Sequence, residues 1–405
     1  MAVKRTYRII ILCFLVVAVI HIAGCRHGDY GRQFKTRRVV FVVIDGVRHT
    51  EFFSDSSHAY CPGIWNELRP YAVISHAMYN NGITRTFPGH ASLLSGRYQF
   101  LPNDGSRRSY QPMIWEYLRD QTGVRDSAVV LAHVKAKIRE LSYSTQSGFG
   151  EEDSAAVIGP YPDDVECVRG FFSYAGYHAP VLSVVCLGTV DIVGHSGDWN
   201  SYVSAIRTAD SLTVEIWKWI ERTDGFAGVT SMFVTADHGR HDVEWDNHGC
   251  HCEGCRRLPF LAIGPDMKTG VELGGPERDI IDIAPTAARI LGIDMPLAEG
   301  RILTEILDDP IPPRRPRVEA RMVVSGMLLE WKPVLKDRAG SPEAILFYRV
   351  YRDTFSIPVA TVHTSSYLDT TVSTVQKPKT YHVRAVDIGG NESEPSNTVF
   401  IQGSG

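Results

Sequence analysis

Three aspartates, three histidines and a threonine occupy short segments that each follow or adjoin an apolar run. Asp45 stands in VVIDGVR, and Thr86 in GITRTFPGHASLLSG. Asp191 and His195 lie in GTVDIVGHSGD, Asp237 and His238 in FVTADHGRHD, and His248 in DNHG. Singly, each is an ordinary residue, because an aspartate after a strand is usually a helix cap or a turn residue. Together they form a donor set. Imidazole nitrogens with carboxylate oxygens suit Zn²⁺ without any thiolate. A hydroxyl among them has a route to nucleophilic reactivity, since a metal-coordinated hydroxyl loses its proton far more easily.

Such residues meet only if the intervening chain brings them to one place. Val39–Ile44, Val129–Ala132, Val181–Leu187, Met232–Thr235 and Leu258–Ile263 read as strands, some of them continuous apolar runs of the kind buried on both faces of a parallel sheet. Met113–Leu118 belongs to an amphipathic helix. Asn200–Arg222 predicts a long one, with Tyr202, Ile206, Ala209, Ile216 and Trp219 on one face, and Asp282–Leu291 predicts a helix stopped by Gly292. Alternating strands and helices predict an α/β fold with a mostly parallel sheet flanked by helices. In such sheets ligands bind at the carboxyl ends of the strands, where the candidate residues fall.

The segment 308–317 (DDPIPPRRPR) has four prolines in ten residues and predicts an extended linker after a catalytic region spanning 26–307. Beyond it the period becomes two. Leu328–Trp331, Phe347–Tyr351, Val359–Val362 and Tyr381–Val386 predict a small all-β sandwich over 318–405. Trp331, the run YRVYR at Tyr348–Arg352 and the ending GNESEPSN resemble a fibronectin type III domain, which implies a spacer or a module docking protein or glycan.

The whole chain has 405 residues, 44 % apolar and 22 % charged, which excludes a disordered or multi-span membrane protein. Residues 1–25 read as an export leader: Lys4, Arg5 and Arg8, then an apolar run Ile9–Ile20 too short for a stable span. The sequence Ile22-Ala23-Gly24-Cys25 resembles a lipobox. That implies lipid attachment at Cys25 and a bacterial lipoprotein, with Arg26 favouring the outer membrane, facing the periplasm or the surface. Cleavage would remove three basic residues and no acids, taking the net charge from -4 to -7, so no nucleic-acid binding is expected. Of the remaining cysteines, Cys186 sits in an apolar run. Cys250, Cys252 and Cys255 could form a structural metal site or a disulfide-pinned loop; their spacing fits no zinc module well, which favours a disulfide or an ordinary loop.

The segments around the seven residues resemble the alkaline phosphatase superfamily, most closely its type I phosphodiesterase/nucleotide pyrophosphatase branch. TFPGHASLLSG resembles that branch's nucleophile motif, and DIAPTAARILG (282–292) and AEGRIL (298–303) its carboxy-terminal segment. The resemblance implies two Zn²⁺ ions. One would be held by Asp191, His195 and His248, the other by Asp45, Asp237, His238 and the oxygen of Thr86. It implies a small phosphorylated substrate, attack by Thr86 and a covalent phospho-enzyme. The Phe87 N–H and Asn103 (in FLPNDG) would bind the phosphate oxygen. Lys135 and Lys137 in HVKAKIREL faintly resemble the Lys-x-Arg pair of phosphomonoesterases in this superfamily, against the alternative of two solvated lysines. A phosphomonoesterase or phosphonate hydrolase is therefore the alternative activity, and a catalytically inactive surface adhesin or scaffold the alternative of another class. His90, His49, His76 and His133 read as packing or surface residues, His241 and Asp242 fall outside the ligand set, and His251 reads as part of the cysteine loop.

Overall fold

A computed structural model of the chain describes residues 34–308, 312–338, 345–354, 357–372, 379–387 and 391–401. The leader, Cys25 and part of the proline-rich segment lie outside these residues. The described residues fold as two compact units, one within residues 33–310 and one beginning at 311. Among them, no helix is long and apolar enough to cross a membrane.

The first unit is built on one sheet. Its strands are β1 (Arg38–Ile44), β2 (Ala72–Tyr79), β3 (Val129–His133), β4 (Ala156–Ile158), β5 (Leu182–Leu187), β6 (Thr230–Thr235), β7 (Arg257–Ile263), β8 (Val271–Leu273) and β9 (Arg278–Asp279). Their order is β4-β3-β5-β1-β6-β7-β2-β8, with β9 also beside β2. From β4 to β6 every pairing is parallel. β1 is central: Val39 to Ile44 are all at most 1 % exposed. Burying a side chain of this size contributes about 1.5–3 kcal/mol, which explains a strand without a polar face.

Register then decides where the chemistry falls. Val43 lies opposite Cys186 of β5 and Thr235 of β6, and Cys186 lies opposite His133 of β3. The carboxyl ends of four strands are therefore level, and the residues just beyond them emerge at one edge. β7 runs antiparallel to β6, and β2 antiparallel to β7. Two reversals restore the direction of β1, so the chain leaving β2 also emerges at that edge. The mostly parallel α/β architecture is as the sequence predicts. β2 itself is an addition: its run AVISHAMY mixes polar and apolar residues and is bulged between Ser75 and Met78.

Helices cover the sheet: α1 (Thr86–Ser95), α2 (Ile114–Thr122), α3 (Asp164–His178), α4 (Thr189–Gly194), α5 (Trp199–Arg222) and α6 (Ile283–Leu291). α5 starts where the Asp198 side chain accepts the Asn200 N–H at 3.1 Å, an ordinary N-cap. α1, α2 and α6 each end on a glycine in the left-handed region.

In the second unit the described strands form two antiparallel sheets. One contains Val318–Val323, Gly326–Trp331 and Ser366–Asp369; the other contains Ala360–Val362, Ile345–Arg352, Lys379–Asp387 and Val399–Ile401. Met327, Leu329, Trp331, Tyr348, Val350, Tyr381 and Val383 pack as a shared core. The Tyr381 hydroxyl donates to Asp369 at 2.9 Å, tying the two sheets together.

His49, which opens the one-turn helix His49–Phe52 after β1, is buried, its Nδ1 2.7 Å from the Ser54 hydroxyl. Burial, with Arg257 and His76 nearby, pushes its pKa down to about 3. The unfolded chain takes up this proton below about pH 6.5 and the folded one does not, so its share of stability is fully present above that pH. Below it, His49 should cost about 1.4 kcal/mol per pH unit until the pH nears 3. Denaturant titrations from pH 7 to 4 should show His49→Leu flattening the acid side by that slope. An unchanged slope would refute the assignment.

Candidate functional site

Asp45 follows β1 by one residue, Asp237 follows β6 by two, and Asp191 sits on α4 just after β5. All three are at most 3 % exposed. Thr86 is the first residue of α1 and 1 % exposed. His238 is fully buried beside Asp237. His248 comes from the loop between β6 and β7, and His195 lies just past the end of α4.

The seven side chains come together. The Thr86 hydroxyl lies 3.4 Å from both Asp45 Oδ1 and His238 Nε2. His238 Nε2 is also 3.4 Å from Asp45 Oδ1 and from Asp237 Oδ2. His248 Nε2 is 3.5 Å from Asp191 Oδ1 and 3.2 Å from His195 Nε2, which is 3.3 Å from Asp191 Oδ2. The rings of His238 and His248 stack at 3.9 Å. Asp45, Asp237 and His238 thus form one donor group and Asp191, His238 and His248 another, with His195 on the open side.

Two glycines make this approach possible. Gly46 has φ +73°, and a Cβ there would sit 2.6 Å from Asp191 Oδ1. At Gly89 a Cβ would sit 2.7 Å from the Asp237 carbonyl oxygen, so α1 packs directly on the chain leaving β6.

The electrostatics test whether the group fits cations. His238 Nδ1 lies 2.9 Å from the Gly239 carbonyl, and His248 Nδ1 lies 3.1 Å from the Thr84 carbonyl. A carbonyl can only accept, so each Nδ1 carries the proton and each Nε2 presents its lone pair. Burial pushes the His238 pKa down to about 3, and it also lowers that of His248, so both rings are neutral near pH 7. Both lone pairs face carboxylates. Asp237 Oδ2 is fully buried and receives no hydrogen bond: His90 Nδ1 is 3.2 Å away, but that nitrogen also lies 2.9 Å from the Thr86 carbonyl, which takes its proton. Lone pairs aimed at anionic oxygens across 3.4 Å repel unless a cation lies between them. The donor set therefore fits divalent metals, with backbone carbonyls fixing the rings as outer partners.

Two cationic side chains share the pocket. Lys135, two residues beyond β3, places Nζ 2.7 Å from Asp45 Oδ2, 2.5 Å from Asp191 Oδ2 and 3.2 Å from the Thr86 hydroxyl. It is no solvated lysine; burial opposes its charge, but the two carboxylates outweigh burial and raise its pKa. Arg240, fully buried, donates from Nη2 to the Asp191 carbonyl at 2.8 Å and to Oδ1 at 2.7 Å. Burial alone would raise the Asp191 pKa, but the hydrogen bond with His195 and the charges of Lys135 and Arg240 hold it well below the usual range.

Asn103 reaches the start of α1, at the residue after Thr86. Its Oδ1 accepts the Phe87 N–H at 2.9 Å and Lys137 Nζ at 3.2 Å. The Phe87 N–H, expected to be free for a phosphate oxygen, is thus engaged by Asn103. With Oδ1 taken by two donors, the Asn103 amide NH₂ is the end left for an anion. His90 is more than packing, since it stands between the Thr86 carbonyl and Asp237. Arg240 was also missed, although it stands two residues after His238. Finally, Cys250, Cys252 and Cys255 are free thiols, so the disulfide expectation does not hold in this structure.

Residues 177–295 match the model of the metalloenzyme superfamily. Among curated proteins, the 2,3-bisphosphoglycerate-independent phosphoglycerate mutases of Haloarcula marismortui and Legionella pneumophila (strain Lens) are 32 % and 31 % identical over 120 and 127 residues. These matches cover 29 % and 30 % of this chain, and the chain spans only 22 % and 23 % of those enzymes. Among solved structures, murine ectonucleotide pyrophosphatase/phosphodiesterase 5, in complex with AMP, aligns with a TM-score of 0.51 at 14 % identity, covering 67 % of this chain and 100 % of that one. A putative sulfatase from Bacteroides thetaiotaomicron aligns at 0.50 and 12 %, covering 77 % and 85 %. At these identities the likeness is one of fold.

Replacing Arg240 with alanine would leave Asp191 buried without its closest guanidinium. Breaking a buried pair in this way costs about 3–5 kcal/mol. Urea unfolding of Arg240→Ala beside the parent chain measures it, and a loss below about 1 kcal/mol would show that Lys135 and His195 suffice.

Proposed function

We propose that this chain is a two-metal phosphoester hydrolase with Thr86 as its nucleophile. The observation that carries the reading is the Thr86 hydroxyl, buried at the start of α1, 3.4 Å from Asp45 and His238 and 3.2 Å from Lys135. In this reading Asp191, His195 and His248 hold one Zn²⁺, and Asp45, Asp237 and His238 with the Thr86 oxygen hold the other. When bound, such ions lower the pKa of the hydroxyl and neutralise charge on the phosphoryl oxygens.

The protein's own residues carry the reaction from there. Thr86 Oγ1, its proton gone, forms a bond to phosphorus as the bond from phosphorus to the leaving oxygen breaks. The leaving group departs with a proton, and the phosphoryl group remains on Thr86. Water then attacks the same phosphorus, restoring the hydroxyl and releasing phosphate when the substrate is a monoester, or a phosphomonoester when it is a diester. The positive end of the α1 helix dipole favours an anion beside Thr86. Asn103 and Lys137, joined at 3.2 Å, would bind the remaining phosphoryl oxygens.

A phosphodiester or nucleotide pyrophosphate is the substrate type the sequence points to. The two lysines favour a second reading. A monoester is a dianion and needs more compensating charge than a diester; Lys135 beside Thr86 and Lys137 beside Asn103 supply two ammonium groups. We therefore rank phosphomonoesters alongside diesters. A complete donor set argues against an inactive scaffold. Export, lipid attachment at Cys25, an outer-membrane location and a fibronectin-like role for the second unit are proposals carried by the sequence.

Turnover of nitrophenyl phosphate, its diester and the sulfate ester tests the assignment. Thr86→Ala should lower kcat/KM by at least ~10³ on the best substrate with the metals still bound. Lys137→Ala should cost about 10²-fold on the monoester and much less on the diester. Full activity in Thr86→Ala would end the covalent reading, and equal losses on both esters would end the monoester one.

A further inference from the structure

A second set of metal-capable groups lies outside the catalytic cluster. His241, Cys250, Cys252 and Cys255 place one nitrogen and three sulfurs within 4.8 Å of one another. His241 Nδ1 is 2.8 Å from Cys250 Sγ, 3.4 Å from Cys255 Sγ and 3.8 Å from Cys252 Sγ. Cys250 Sγ is 2.9 Å from Cys252 Sγ and 3.7 Å from Cys255 Sγ. The geometry points to a structural Zn²⁺ site of the Cys₃His type, separate from the proposed catalytic pair.

The chemistry fits at each level. Zn–S of about 2.3 Å and Zn–N of about 2.0 Å in a tetrahedron require ligand atoms roughly 3.5–3.8 Å apart. Two of the contacts above, at 3.7 and 3.8 Å, already have that spacing and a third, at 3.4 Å, is close to it; the two short ones converge on Cys250, so a small outward turn of one side chain completes the set. Four protein ligands leave no open position, the mark of a structural rather than a catalytic site. Backbone groups surround the sulfurs: the Cys252 N–H points at Cys250 Sγ at 3.3 Å. The Cys255 N–H and the Arg256 N–H both close on the Cys252 carbonyl, at 3.2 and 3.1 Å. Such outer contacts hold ligands in place. Binding would release the thiol protons, since the thiolate is the ligand.

The placement gives the site a purpose. His241 and Cys250 bracket the loop that carries His248, and one ion would join the two ends of that loop. The Thr84 hydroxyl donates to the Cys250 carbonyl at 2.8 Å, while the Thr84 carbonyl orients His248 at 3.1 Å. On the other side, the Gly239 and Arg240 N–H groups bond the Cys255 and Gly254 carbonyls at 2.8 and 2.9 Å. The Cys₃His cluster therefore clamps the chain on both sides of His238, Arg240 and His248, and it holds His248 at the pocket without touching substrate.

The full-length protein, purified without reducing agent and loaded with Co²⁺ in place of Zn²⁺, tests the site. Thiolate-to-cobalt charge-transfer absorption is expected, and oxygen and nitrogen ligands alone cannot produce it. Elemental analysis should show Cys252→Ser holding one metal fewer per chain than the parent. His251→Ala, an exposed neighbour in the same loop, should keep the parent count. Cys255 is buried, so Cys252, half-exposed, is the better variant to survive folding; His241→Ala should reproduce its loss. An absent charge-transfer band, an unchanged metal count in Cys252→Ser, or a disulfide among the three cysteines in non-reduced digests would each overturn the proposal. None of these readouts depends on Thr86 or on turnover, so the catalytic reading can fail without this one failing.

Discussion

Three buried carboxylates share one pocket, and nothing about the fold makes sense without that fact. Two unit charges 4 Å apart repel by about 4 kcal/mol at an effective dielectric constant near 20. Asp45, Asp191 and Asp237 could not stay ionised together without compensation. Lys135 and Arg240 provide part of it, and two neutral imidazoles with inward-facing lone pairs mark where further positive charge belongs. The level ends of β1, β5 and β6, the missing side chains at Gly46 and Gly89, and the start of α1 at Thr86 all serve to bring these groups within a few ångströms.

Much of this was legible because each aspartate is announced by the strand before it. VVFVVI, VLSVVCL and MFVT read as strands of a parallel sheet, and parallel neighbours bring their carboxyl ends to one edge. Lys135 stands in the same relation to β3 as Asp237 does to β6, two residues beyond the strand end. The signal was present; residue type hid it, since lysines after short strands are mostly solvated. β2 was illegible for another reason. It sits beyond the antiparallel β7, carries a bulge, and interrupts its apolar run with Ser75 and His76. Without β2 the route from the sheet to Thr86 could not be traced.

The cysteine loop shows the limit of spacing rules. Cys250-x-Cys252-x-x-Cys255 matches no familiar zinc pattern, and His241 lies too far upstream to be counted with it. Folding removes that distance, because His241 N–H bonds the Asn247 carbonyl at 2.9 Å and the loop turns back on itself. Ligand sets are properties of space, and a pattern search along the chain sees only those whose members happen to be close in sequence.

The two halves of the pocket differ in how they meet solvent. Asp45, Asp237 and His238 are sealed beneath α1, whereas the His195 side chain is 44 % exposed and His248 rides on a loop. An ion held by the inner group would lie away from solvent, while one held with His195 would face it. Loaded with cations, such a pocket would trade its outer ion with the surroundings faster than its inner one.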